Sequence, residues 1–214
     1  MASIPFSIWF HFYFMLVKRT SAQVICSSAK MPENALVCAF HPEWPLFPAS
    51  KESWDRLVSG LGTVSWLGIH HFLSYVGSFS VYWWRCRAVR YDWRSAEKPF
   101  QQILRKLQSN TDTVFVIRTD SGRPYNRVRS SIVAMSDQLN RPVVCVRQWA
   151  TRYVMWNEHY IPLPFGRIST AISEPISPET LRALSKDEAL SLLQKTMDHL
   201  GEILEKSPNG TVIA

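Results

Sequence analysis

Short apolar runs alternate along this chain with longer stretches in which apolar residues return every three or four positions. Val114, Phe115, Val116 and Ile117 are β-branched or aromatic without interruption, the composition of a buried strand. Comparable runs predict strands over 35–40 (ALVCAF), 63–69 (TVSWLGI), 85–91 (RCRAVRY), 141–148 (RPVVCVRQ) and 167–176 (RISTAISEPI). Helical spacing is clearest in SAEKPFQQILRKLQSN, where Phe100, Ile103, Leu104 and Leu107 share one face; RVRSSIVAMSDQLN predicts a further helix. A short helix closed by glycine is predicted over 52–62 (ESWDRLVSGLG), and a buried helix over 72–84 (FLSYVGSFSVYWW). HPEWPLFP, at 41–48, carries three prolines and forbids a regular element.

The tail shows two marked helix starts. Ser177 with Pro178 forms an N-cap followed by proline at the first helical position, and Ser185 with Glu188 forms a capping box. Leu190, Leu193, Met197, Leu200 and Leu204 give the last helix its apolar stripe. Strands alternating with helices imply an α/β fold: one domain with a mixed, mostly parallel sheet covered by helices on both faces.

The first residues stand apart. Ile4 to Val17 is almost wholly apolar and then meets Lys18 and Arg19. Such a run is too short for an ordinary membrane span, and its positive charge follows the apolar stretch where a signal peptide places it before. Residues 1–30 are therefore expected to form an amphipathic, membrane-associating helix, and 31–214 the α/β domain with its helical tail.

Charge adds a partner class. The formal net charge is +7, from 24 Lys plus Arg against 17 Asp plus Glu, which favours anionic partners such as nucleic acid, phosphorylated small molecules or an anionic membrane surface. Aromatic residues make up 13% of the chain and include nine Trp, which tilts the balance towards lipid. The nucleic-acid alternative rests on WWRCRAVRYDWR, more simply a strand with basic ends, and is set aside. Cys26, Cys38, Cys86 and Cys145 form no close pair, no disulfide framework and no zinc spacing, as expected in a reducing cytosol.

Three places carry candidate chemistry. His41 follows the first strand directly, with Glu43 two residues on, and a strand-end histidine is suited to general-base work. His70 and His71 end the second strand; adjacent histidines point apart, so no metal site is expected there. The loop holding Asp120, Gly122 and Arg123, with Arg118, Arg127 and Arg129 nearby, is suited to clamping a phosphate. Taken singly, each has a plain structural alternative: a loop histidine bonded to backbone, a polar strand end, a surface Asp–Arg pair. There is no G-x-S-x-G elbow, Walker loop or dinucleotide fingerprint.

The order of these features carries more than any one of them. TDSGRPYNRVRSSIVAMSDQLNRPVVCV followed by IPLPFGRISTAISEPI resembles the lysophospholipid acyltransferase superfamily, related to glycerol-phosphate and lipid A acyltransferases. It is most similar to a short bacterial branch catalogued as a domain of unknown function. That branch has a Pro-Asp-Gly-Pro-Arg-Gly-Pro loop, a helix, an apolar strand, a Pro-Leu-Pro-Phe segment and a strand ending Gly-Glu-Pro-Ile. Asp120 and Arg123 occupy the acid and base of that loop, and PLPF at 162–165 and EPI at 174–176 match outright. CAFHPEWPLFP places His41 at the family's strand-end histidine. The resemblance spans roughly residues 35 to 176.

The resemblance implies an acyltransferase-like fold and an enzyme that moves a fatty acyl group from a thioester donor to a hydroxyl of a phosphate-bearing lipid, of lysophospholipid or lipid A type. Acyl-CoA or acyl carrier protein is the implied co-substrate; no metal or other cofactor is implied. His41 becomes the base, with Glu43 and His71 as further catalytic candidates, and Asp120, Gly122, Arg123 and Arg90 the acceptor site. The implied location is the cytoplasmic face of the membrane, peripherally bound. The pattern also departs from the family. Leu46 stands five residues after His41 where an orienting Asp belongs, Leu73 and Ser74 replace Asp-Gly after His71, and Tyr91 replaces the glycine after Arg90. A descendant that keeps the fold and binds lipid or acyl groups without transferring them is the alternative.

Overall fold

The computed structural model describes residues 12, 13, 16, 17, 19–26, 32, 34–40, 57–63, 87–92, 97–109, 114–118, 126–156 and 159–206, of which 23, 25, 57–63, 87–92, 99, 114–118, 156, 159 and 160 are described by their backbone. Seven strands form the main sheet in the order β1-β9-β6-β2-β5-β3-β4. In chain order these are β1 (Ala22–Ile25), β2 (Leu36–Ala39), β3 (Leu57–Thr63), β4 (Arg87–Asp92), β5 (Val114–Arg118), β6 (Val143–Ala150) and β9 (Arg167–Ile172). Between β6 and β9 the chain makes a separate antiparallel ribbon, β7 (Tyr153–Trp156) with β8 (His159–Pro162). The described helices are α1 (Pro99–Gln108), α2 (Ser130–Leu139), α3 (Pro178–Arg182) and α4 (Lys186–Lys206).

Every pairing in the main sheet is parallel except β6 with β9. The mixed, mostly parallel α/β sheet expected from the alternation is what the chain forms. All four residues of β2 are buried, as a central strand covered on both faces requires. The core joins Leu36, Cys38 and Phe40 of β2 and its exit to Val143 and Cys145 of β6, to Leu104 and Leu107 of α1, and to the stripe of α4. That stripe runs Ala189, Leu193, Met197, Leu200 and Leu204; Ala189 begins it and the neighbouring Leu190 is only half-buried. Cys38 and Cys145 are paired positions on adjacent strands; both are buried, and neither forms a disulfide.

Both predicted caps form. The Ser177 hydroxyl accepts the Thr180 N–H at 3.2 Å, with Pro178 opening α3. Ser185 donates its backbone N–H (2.9 Å) and its hydroxyl (2.6 Å) to the Glu188 carboxylate, and its Oγ accepts the Glu188 N–H. These bonds satisfy donors that the first turn of a helix leaves without intrahelical partners.

Two local expectations are corrected. Residues 57–62, expected at the end of a helix, lie in β3. Gly60 and Gly62 each disfavour helix by about 1 kcal/mol, and the parallel neighbours β4 and β5 supply the backbone partners instead. Of the strand expected over 63–69, only Thr63 lies among the described residues. Residues 22–25, assigned from sequence to the N-terminal helix, form β1 alongside β9; the described residues between 12 and 20 are helical. The β7–β8 ribbon was not anticipated, because Asn157 and Glu158 between its strands lack the glycine that usually marks a two-residue hairpin. The helix expected over 72–84 lies outside the described residues. No helix among them is long and apolar enough to cross a membrane.

Candidate functional site

In an open parallel sheet the carboxyl ends of the strands gather on one edge, where loops carry ligands. Here the register aligns Ala39, the last residue of β2, with Arg118, the last of β5. His41 comes two residues after Ala39 in the sequence, and Asp120 two residues after Arg118. The ends of β3 and β4 are likewise aligned, Thr63 with Asp92, and Arg90 pairs with Leu61 in the β4 backbone. His41, Glu43, His71, Asp120, Gly122 and Arg123 themselves lie outside the described residues, as does the side chain of Arg90. What the structure describes is the frame from which they depart.

That frame is rigidly held on the β2 side. Phe40 is fully buried, and the Arg147 guanidinium lies over its ring, 4.9 Å from the centroid. Arg147 also donates from Nη1 to the Met197 carbonyl of α4 at 3.3 Å. A Cβ on Gly201 would come within 3.1 Å of that same Nη1, so glycine one turn further along α4 leaves the guanidinium its room. An arginine inside an apolar strand is rarely left without partners, and its presence in VVCVRQ was the available signal for this contact. The sequence reading passed over it.

The chain at Asn126 and Val128, shortly after Arg123 in the sequence, is held as well. Gln194 of α4 accepts the Val128 N–H at 2.9 Å, and its Nε2 donates to the Asn126 carbonyl (3.2 Å) and to Asp198 Oδ1 (2.9 Å). Asn126 sits at a φ of 63°, in the left-handed region that asparagine tolerates. Arg129 precedes α2 in the N-cap position without capping it by a side-chain bond, and Arg127 and Arg129 are both exposed. Gln194 carries no sequence signature. It is one polar residue on a helix, and only the fold shows that it faces this loop.

The matched PLPF and EPI segments have structural work. Ile176 exchanges backbone hydrogen bonds with Val143 (2.8 and 2.9 Å), and the Ser173 hydroxyl accepts the Cys145 N–H at 2.9 Å, closing EPI against β6. In the PLPF turn Phe165 takes a φ of 60° and its N–H is accepted by Thr20 Oγ1. Burial pushes the Cys26 thiol upward in pKa, with Arg167 opposing, and burial likewise raises the Tyr13 phenol. No group of three or more His, Cys, Asp or Glu placed to hold a metal ion occurs among the described residues.

No family model matches the chain, and no curated protein matches it. Among solved structures, it is similar to the crystal structure of the 1-acyl-sn-glycerophosphate (LPA) acyltransferase PlsC from Thermotoga maritima. The TM-score is 0.52 at 17% identity, covering 96% of this chain and 89% of that one. At that identity the likeness is one of fold: the chain has the α/β architecture of this acyltransferase.

Proposed function

We propose that the chain is an acyltransferase moving a fatty acyl group from a thioester donor to a hydroxyl of a phosphate-bearing lipid acceptor. The observation that carries the proposal is the alignment of Ala39 with Arg118, the strand ends that His41 and Asp120 follow by two residues each in the sequence. The fold shared with an acyltransferase acting on 1-acyl-sn-glycerophosphate supports it, as does the ordered resemblance of the motifs.

In this reading His41 removes the proton from the acceptor hydroxyl as the oxygen attacks the thioester carbonyl. The tetrahedral intermediate collapses with cleavage of the C–S bond, the acyl chain leaves as an ester of the acceptor, and the proton passes from the imidazolium to the departing thiolate. Glu43 takes the part of the orienting carboxylate that Leu46 cannot, and His71 is the reserve base. Asp120, Gly122, Arg123 and Arg90 hold the acceptor's phosphate; a guanidinium suits the phosphate through paired charge-assisted bonds. Acyl-CoA or acyl carrier protein brings the chain, without a metal. Because the acceptor is a membrane lipid, the chain would work peripherally at the cytoplasmic membrane face.

A second reading is favoured by one feature, Leu46 in place of the orienting Asp: a member that binds lipid or acyl groups without transferring them. One set of assays separates the two. If the chain is an enzyme, His41→Ala lowers acyl transfer about a hundredfold or more with little change in Tm. Glu43→Gln gives a smaller loss, and His71→Ala a mild one. Wild type that binds lysolipid yet transfers from no thioester donor would sink the enzyme reading.

A further inference from the structure

Among the described residues, the large apolar side chains left exposed gather at one end of the molecule. Phe12 (67% exposed) and Leu16 lie one helical turn apart near the N-terminus. Val154 and Met155 (62%) stand on the β7–β8 ribbon, beside Trp149 and Tyr153, whose rings meet edge-on at 5.2 Å. Phe165 (71%) crowns the PLPF turn.

These pieces are bonded to one another. Tyr13 donates its hydroxyl to the Pro162 carbonyl at the end of β8 (2.6 Å), and Thr20 Oγ1 accepts the Phe165 N–H (3.2 Å). Arg152 donates to the Pro164 carbonyl, and the Leu163 N–H to the Arg152 carbonyl. Helical segment, ribbon and turn therefore stand together at one end of the sheet, with Val154 and Met155, consecutive on a strand, exposed on the two faces of the ribbon. A left-handed backbone at Phe165 costs about 1 kcal/mol or more and leaves a phenyl ring in solvent, where neither the core nor the turn has use for it.

We propose that this surface, led by Val154 and Met155 of the ribbon and by Phe165, docks on an anionic lipid bilayer. The charge around it fits that occupant. Arg19 and Arg152 are exposed at its margin, no Asp or Glu stands among the described residues from 12 to 26, and in the sequence Glu158 is the one carboxylate between 149 and 168. Two copies of the chain facing each other here would set arginines against arginines, which disfavours a dimer. A bilayer meets apolar tips with its hydrocarbon margin and arginines with its phosphates.

The topology then orients the sheet. β6 runs parallel to β2 and continues to Ala150, five residues past the Cys38–Cys145 pair, about 16 Å at the usual strand rise. The ribbon thus rises from the edge on which β2 and β5 end. A docked surface would turn that edge towards the membrane, a consequence that rests on the acceptor being a lipid; the docking itself does not.

The test uses the full chain and vesicles of phosphatidylcholine with and without phosphatidylglycerol. Wild type is expected to sediment with vesicles, more tightly with the anionic lipid. The combined variant Val154→Thr, Met155→Asn, Phe165→Asn keeps the strand and the left-handed position and should partition about tenfold less or weaker, with an unchanged melting curve. On wild type, amide exchange of residues 153–165 should slow when vesicles are added. Equal partition of variant and wild type, unchanged exchange, or a dimer in solution that the variant dissolves and vesicles ignore would each overturn the docking surface. Acyl transfer failing while vesicle binding persists would count against the reaction alone.

Discussion

The guanidinium of Arg147 packs over the ring of Phe40, joining β6 to the residue that immediately precedes His41. The pair is partly buried, where such a contact contributes about 1–2 kcal/mol. Arg147→Met is expected to lower stability by about that amount in urea denaturation, and Arg147→Lys to recover part of it, since lysine keeps the charge but not the planar fork. If the contact also positions His41, kcat falls further than stability explains, with KM for the donor little changed.

Gly201 tests the same contact from the helix side. Glycine within a helix costs about 1 kcal/mol relative to alanine, so Gly201→Ala should stabilise α4 were nothing opposite. Its methyl would instead come 3.1 Å from the Arg147 Nη1, which is engaged with Met197. The gain should appear in an Arg147→Ala background and shrink or reverse in the wild-type background. Strict additivity in this double-mutant cycle would mean the guanidinium yields freely.

The capping box makes a pH prediction. Hydrogen bonds from the Ser185 side chain and backbone hold the Glu188 carboxyl below its ordinary value of 4.5. A carboxylate whose folded pKa is depressed stabilises the fold above its unfolded pKa and loses that contribution as pH falls through the folded value. Glu188→Ala should therefore melt earlier than wild type at neutral pH, with the difference closing below about pH 4.5. Ser185→Ala, which removes the hydroxyl from the cap, should cost about 1 kcal/mol. A Glu188→Ala deficit that is constant from neutral to acid pH would show that the charge is idle.

If the proposed acyl transfer is correct, Gln194 is expected to act on its acceptor half. Gln194→Leu removes the bonds to Asn126 and Val128 and frees the chain that leads out of the Asp120–Arg123 loop. The acceptor KM should rise severalfold with kcat nearly kept, and Arg123→Ala should produce the same pattern more strongly, since in the proposed reading it removes the phosphate partner itself. A defect confined to donor kinetics in either variant would remove the acceptor assignment.

Local chemistry was legible without coordinates wherever a residue type has one strong conformational use. Ser177–Pro178 and Ser185–Glu188 announce helix starts because few arrangements satisfy the first turn's donors, and both caps form. The runs at 35–40, 114–118 and 141–148 announce central strands because an uninterrupted β-branched run has no polar face to give to water. The motif order pointed to the α/β fold for the same reason, being a series of such local elements. LVSGLGT misled, since its apolar spacing suits a helix while its glycines need neighbouring strands for support.

What the sequence by itself determined, then, is the class of most strongly patterned segments, and it named the residues from which a site is proposed. Direction and proximity were decided only by the tertiary structure. That β6 and β9 are antiparallel follows from the β7–β8 ribbon between them, a connection with no crossover helix, and period-two alternation is the same for either direction. That Arg147 meets Phe40, Gln194 meets Val128, and the exposed tips of helix, ribbon and turn share one end depends on packing between segments far apart in the chain. Such contacts form because their partners are held there by the rest of the core, and no window of sequence contains both sides of them.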